Sequence, residues 1–324
     1  MITSRHSIFL DEVERYLGYR PSTVRTYTDT TNFFAIDRGD ILSLHGGNYL
    51  IIGTMRERGF GLDDEPKHWV KHAIECETGS HKIIKLVFLE HFMMRLGDTT
   101  VRCFRSPAKE ARVLGCVQRH PQFMKGFGVR DATGNDVRVI DFISGPDLSS
   151  YLLDGASTHE AYFYERMPMI LWRLLPCLEA LHFLHEVHER HGDVRAGHVL
   201  VDQQTGLFRW IDFDYDFDNR EAPFSLDILG AGDLIALIVG RGIIEAGRIE
   251  REPALAGMLD RLTPDDLSVV NRGRLMNLGK AYPYIPESLN RILLHFSSGA
   301  EVFYESMAEL IDDLREAVSQ LFRG

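Results

Sequence analysis

The chain has 324 residues, 44% of them hydrophobic and 26% charged, with a formal net charge of -11. That apolar content supports a sizeable core in one or two domains, and the acidic balance excludes a nucleic-acid binder that works through a broad basic surface. The four cysteines form no C-x-x-C pair, which excludes a zinc knuckle and suits a reducing compartment better than a disulfide framework. The opening stretch, MITSRHSIFLDEVERYLG, has charges within its apolar run and no small-residue cleavage site, so it predicts an amphipathic helix over about 8–17, not a signal peptide. NFFAID, DILSL and NYLIIG predict strands, and the polar, glycine-bearing residues 56–68 predict a loop. WVKHAIECE and HKIIKLVFL predict a hairpin across Thr78-Gly79-Ser80. Ser106-Pro107 supplies a cap and a first-turn proline for a helix through AKEARVLGCVQ, and FMKGFGVRD with DVRVIDFI predicts a second hairpin.

After Gly145-Pro146 the pattern turns helical. PDLSSYLLD starts one helix, and MILWRLLPCLEALHFLHEVHE is a long one carrying Pro176. HVLVD and LFRWIDFDY predict two small strands, and LDILGAGDLIALIVG opens a helical remainder. No run approaches 18 consecutive apolar residues, so the expectation is a cytoplasmic protein without membrane or nucleic-acid partners. A β-rich front feeding an α-rich back predicts the α+β class.

The chemistry concentrates in two loops bordered by short apolar strands. Asp193 and Asp212 supply the acid pair that phosphoryl transfer needs: one carboxylate orients the attacking hydroxyl, and the other holds Mg2+ against the phosphates. Taken singly, each is as compatible with a turn acid. Together with their surroundings they are more specific. HGDVRAGHVLVD resembles the catalytic loop of the protein-kinase-like superfamily, H-[RG]-D-x-x-x-x-N-[IV]-L, and IDFD resembles its metal-binding D-F-G. VIDFISGPDLSSYLL is similar to the family's hinge, HKIIKLVF to its V-A-I-K strand, and SLDILG to S-D-V-W-S-L-G, whose aspartate tethers the catalytic loop.

The resemblance covers about residues 48–315, most specifically that of divergent bacterial serine/threonine protein kinases. It implies a bilobal protein-kinase-like fold: an N-terminal antiparallel β-sheet lobe with one helix, and a mainly helical C-terminal lobe. The corresponding segments are 1–45 as an N-terminal extension of helix and strands, 46–143 as the N-lobe and 144–324 as the C-lobe. ATP and Mg2+ are the implied cofactors. Lys85 then binds phosphates with Glu110 as its ion-pair partner, Asp193 orients the acceptor, and Arg195 stands where the family has a catalytic-loop lysine. Gly53, Gly59 and Gly61 correspond to the phosphate-covering loop; Ile83, Ile140, Asp141 and Ile143 border the base; Asp212, His198 and Asp214 fall at metal positions.

Four departures matter. His198 replaces the metal-binding asparagine, although oxygen ligands suit Mg2+ better than imidazole. The glycines are not spaced G-x-G-x-x-G, and Ile83 replaces a small alanine. The segment between Asp214 and Asp227 is short, with Phe224 where the A-P-E glutamate is usual and Phe303 where its arginine partner is usual. That exchange predicts contact between the two rings. The function implied is an ATP-dependent phosphotransferase acting on a protein or small-molecule acceptor. Gly192 and Asp214 are similar to features of aminoglycoside phosphotransferases and choline kinases, an alternative of small-molecule kinase type. A pseudokinase acting as a binding module is the alternative from a different class.

Overall fold

The computed structural model describes residues 2–59, 62–96, 99–155, 158–219, 221–249 and 256–322. Helix α1 (Ile2–Leu17) is followed by strands β1 (Thr26–Tyr27), β2 (Ile41–Leu44), β3 (Gly47–Gly59), β4 (Leu62–Glu75), β5 (His81–Lys85), β6 (His91–Leu96) and β7 (Thr99–Arg105). Helix α2 (Pro107–Cys116) precedes β8 (Gly126–Arg130) and β9 (Asp136–Asp141). Then come α3 (Leu148–Leu153), α4 (His159–Glu165), α5 (Met167–Glu186), β10 (Val199–Val201), β11 (Phe208–Trp210) and β12 (Tyr215–Phe217). Helices α6 (Ser225–Val239), α7 (Ala246–Ile249), α8 (Leu278–Ala281), α9 (Glu287–Leu294) and α10 (Met307–Leu321) complete the α+β chain. It divides into two compact units: Met1–Glu90, Arg105–Arg119 and Met124–Ile143 form the first, and His91–Phe104, His120–Phe123 and Ser144–Gly324 the second.

The first unit is a sheet in the order β1-β2-β3-β4-β5-β9-β8, antiparallel except for β1 against β2. Directly paired residues share a face in such a ladder. One face buries Leu42, Tyr49, Ile51, Ala73, Ile84 and Val139 in a core joined by Ile36 and Leu86. The other presents Ile41, Leu50 and Ile74, and onto these α1 places Phe9 and Val13. The expected amphipathic helix is therefore a cover for the sheet. It starts earlier than its sequence pattern suggests, at Ile2.

Two local expectations are corrected. NFFAID is not a strand: Phe33–Ala35 form a 3-10 turn, and its apolar pattern serves packing of Phe33 and Ile36 on the core while Phe34 faces solvent. Residues 56–68 are not simply a loop, because β3 runs to Gly59 and β4 begins at Leu62. Backbone pairing with register shifts carries this polar hairpin, so no apolar alternation betrays it.

A carboxylate ties the N-terminal residues to the β8–β9 turn. Asp131 is buried and accepts hydrogen bonds from the Thr30 N–H and hydroxyl, both at 2.7 Å. It also accepts from the Thr133 and Asn135 N–H groups and from Asn135 Nδ2, each at 2.9 Å. Burial alone would raise its pKa, but the bonds from Asn135 and Thr30 outweigh that and hold it well below the usual carboxylate range. Asp131→Ala strands these donors, and a loss of about 2–3 kcal/mol is expected in urea unfolding. Because the folded-state pKa is depressed, the contribution is full above the ordinary carboxylate range and fades as pH falls below it. Equal losses in Asp131→Ala and Thr133→Ala would contradict a central role for this carboxylate.

The second unit is mainly helical. Its long helix α5 buries Leu171, Leu174, Leu178 and Leu181 and contains Pro176. Among the described residues it is the one helix long and apolar enough to cross a membrane, a test the sequence reading did not credit it with passing; buried core helices pass it too. The strands β12-β7-β6 form a sheet that was not expected from sequence, with Val101, Cys103 and Phe217 in its core.

Candidate functional site

In the first unit, strand register aligns the residues expected to meet a nucleotide. Gly53 pairs with His72, His72 with Ile83, and Ile83 with Ile140, forming one cross-strand row on a single face. The neighbouring row, Ile41, Leu50 and Ile74, lies under α1. The row on the other side, Val70, Lys85 and Arg138, faces α2. Gly128 lets α2 approach: a Cβ there would come within 2.6 Å of Ala111 Cβ. This row thus runs between the footprints of two helices.

Lys85 is buried, and its Nζ donates to Glu110 Oε1 at 2.7 Å. The sequence order anticipated this partner. It did not anticipate Arg138, equally buried, whose Nε donates to Glu110 Oε2 at 2.9 Å. Two cations therefore share one carboxylate on α2. Ser106 caps that helix by accepting from the Lys109 N–H, as the sequence suggested.

His72 was also missed. Its Nε2 lies 3.0 Å from His81 Nδ1, and its ring stacks on Phe142 with centroids 4.9 Å apart. Burial and the neighbouring His81 lower its pKa. Other expected residues stand apart from the row. Asp141 is paired with Lys82 at 2.7 Å, opposite a residue of the other face. Gly59 lies at the far end of β3, and Gly61 lies outside the described residues. Ile143 follows β9 immediately, with only Phe142 between; the Phe142 N–H donates to His81 O at 3.2 Å.

In the second unit, helix α6 braces the loop that carries His191, Gly192 and Asp193. The buried Asp227 carboxylate accepts from the N–H groups of His191 and Gly192, both at 2.8 Å, and faces His185 Nε2 at 3.1 Å. Gly230 allows the close approach, since a Cβ there would meet Val194 O at 2.5 Å. His191 packs edge to face on Trp210 and Phe213, a role within the loop as expected.

Asp193, Arg195, His198 and Asp212 converge. His198 Nδ1 donates to Asp193 O at 2.9 Å, while Arg195 donates to His198 Nε2 from Nε at 3.1 Å and from Nη2 at 2.7 Å. Asp193 Oδ2 lies 3.4 Å from Arg195 Nε, and Asp212 Oδ2 lies 3.4 Å from His198 Nε2. Burial lowers the His198 pKa, Arg195 adds to this, and Asp212 and Asp193 only partly oppose it. Asp212 has φ of 67°, a left-handed conformation costly for a residue with a Cβ and concentrated at functional sites. Asp214 is buried. Among the described residues no group of three or more His, Cys, Asp or Glu is arranged to hold a metal by itself.

The expected contact of Phe224 with Phe303 is corrected. Phe224 instead stacks on His185, with centroids 4.2 Å apart, and Phe303 is exposed. A stack on the residue that faces Asp227 gives the Phe224 ring a use where it stands. The short segment before α6 is held by Arg190, which sequence reading passed over. Arg190 donates to Asp216 Oδ1 at 2.6 Å, to Phe217 O at 2.6 Å and to Pro223 O at 2.9 Å.

No protein-family model and no curated protein matches the chain. Among solved structures, the kinase domain of Mycobacterium tuberculosis PknI is similar over 85% of this chain and 97% of that one, at 15% identity and a TM-score of 0.42, a likeness too slight to carry a functional conclusion.

Proposed function

We propose that the chain is an ATP-dependent phosphotransferase with a protein-kinase-like fold, moving the γ-phosphoryl group of ATP to a hydroxyl. The observation that carries this is the buried Lys85–Glu110 pair at 2.7 Å. A solvent-facing edge lysine would need no such partner. Burying both charges costs desolvation, and a phosphate-binding amine held at a fixed point is a use that justifies it.

Lys85 binds the α- and β-phosphates, with Gly53 on the strand that covers them and the base received along Ile83 and Ile140 and by the backbone at Ile143. Asp193 orients the acceptor hydroxyl and takes its proton, and Arg195 balances charge on the phosphoryl group. The carboxylates of Asp212 and Asp214 offer the hard oxygen donors that Mg2+ takes, and the cation would neutralise phosphate charge when bound. His198 does not fit that cation, since both its ring nitrogens are engaged within the loop. The segment held by Arg190 is short for a peptide platform, which favours a small-molecule acceptor over a protein one.

His198 also supports a second reading, a nucleotide-binding module without transfer. In a phosphotransfer assay, Asp193→Asn and Asp212→Asn are each expected to lower the rate by about 10²–10⁴-fold. Activity surviving both changes rejects the assigned roles. A thermal midpoint raised by ATP with Mg2+, but no transfer by the unaltered chain, supports the binding module.

A further inference from the structure

We infer that His198 serves to position Arg195 and not to bind a metal, so that the catalytic loop takes one divalent cation and supplies its own guanidinium in place of a second. This rests on the phosphotransfer reading above.

A neutral imidazole has one lone pair for a metal, on the nitrogen without the proton. Here Nδ1 faces the Asp193 carbonyl oxygen at 2.9 Å, which assigns the proton to Nδ1. The lone pair is then on Nε2, and two guanidinium nitrogens of Arg195 converge on it, at 2.7 and 3.1 Å. A cation on His198 would have to displace a positive group already there. The ring itself is buried and has little freedom to turn away.

The surrounding charges favour the same arrangement. Asp193 Oδ2 lies 3.4 Å from Arg195 Nε and 3.4 Å from His198 Nδ1, and Asp212 Oδ2 lies 3.4 Å from His198 Nε2. Asp193 thus borders the guanidinium directly, and Asp212 borders the imidazole nitrogen on which the guanidinium converges. Arginine is suited to the post because its charge persists and its planar fork can meet phosphate oxygens while its other edge is held. An asparagine at 198 would leave an amide oxygen for a cation and nothing to hold Arg195 in the same way.

The test counts bound Mn2+ on the full chain by electron paramagnetic resonance, in the presence of a non-hydrolysable ATP analogue. One Mn2+ per chain is expected, rising to two in His198→Asn. Two in the unaltered chain would overturn the inference and leave the phosphotransfer reading standing. None with nucleotide present would overturn both. One in a folded His198→Asn would also overturn it, because His198 would then not be what excludes the second cation. If that variant does not fold, the count on the unaltered chain decides alone.

Discussion

Glu110→Ala is expected to lower the unfolding free energy by about 3–5 kcal/mol, the cost of removing one side of a buried ionic group. The loss is large because the carboxylate serves two cations at once, Lys85 at 2.7 Å and Arg138 at 2.9 Å. Without it, two buried positive groups face each other where a negative charge was. Arg138→Met should cost less, since the Lys85–Glu110 pair remains balanced. In Glu110→Ala/Arg138→Met the mutual repulsion goes as well. The double variant should therefore lose less than the sum of the single losses, by about 1–3 kcal/mol in a urea double-mutant cycle. Additive losses would show that the three groups do not act as one cluster. Under the proposed function the readout is ATP affinity: Glu110→Ala removes the 2.7 Å bond that orients Lys85 and should weaken nucleotide binding even at a temperature where it stays folded.

These two partners of Glu110 also mark what the sequence could and could not say. Lys85 was nominated by the resemblance of HKIIKLVF to V-A-I-K, and α2 was legible from Ser106-Pro107 and its helical period. Arg138 was not. An arginine among valines in a strand looks like the polar member of an alternation, and only the register against β5 sets it beside Lys85. His72 was hidden for the same reason. The pattern of β4 shows that faces alternate but not which face carries Gly53 and Ile83. The tie from Asp131 to Thr30 joins residues 101 apart in sequence, and no local signal reports a contact of that range. In the second unit, the tether from Asp227 to the backbone at His191 and Gly192 was anticipated from the resemblance of SLDILG to S-D-V-W-S-L-G. The Arg195–His198 contact was not, although both residues had been singled out separately.

Asp227→Asn is expected to lower stability and, under the proposed function, the transfer rate. The carboxylate uses Oδ2 for the His191 N–H and Oδ1 for the Gly192 N–H. An amide has one acceptor oxygen, so whichever way it turns, its NH2 faces a backbone donor. A buried unmet donor of this kind costs about 1–3 kcal/mol, and the loop that carries Asp193 must shift to relieve it. A shift of about 1 Å there is enough to lower phosphotransfer about 10²-fold. The pH dependence separates this role from simple packing. Burial would raise the Asp227 pKa, but the hydrogen bond and charge of His185, the charge of His191 and the Gly192 N–H together bring it down to about 2, against an ordinary 3.8. A depressed folded-state pKa means that the stabilisation is fully present above the ordinary value and is lost as pH falls through about 2. It amounts to about 2 kcal/mol. The gap in unfolding free energy between the unaltered chain and Asp227→Asn should therefore be constant near neutrality and narrow on acidification from about pH 4 downward. A gap that stays constant across that range would mean that Asp227 has the same proton affinity folded and unfolded, and that the loop is braced by packing on Gly230 instead of by charge.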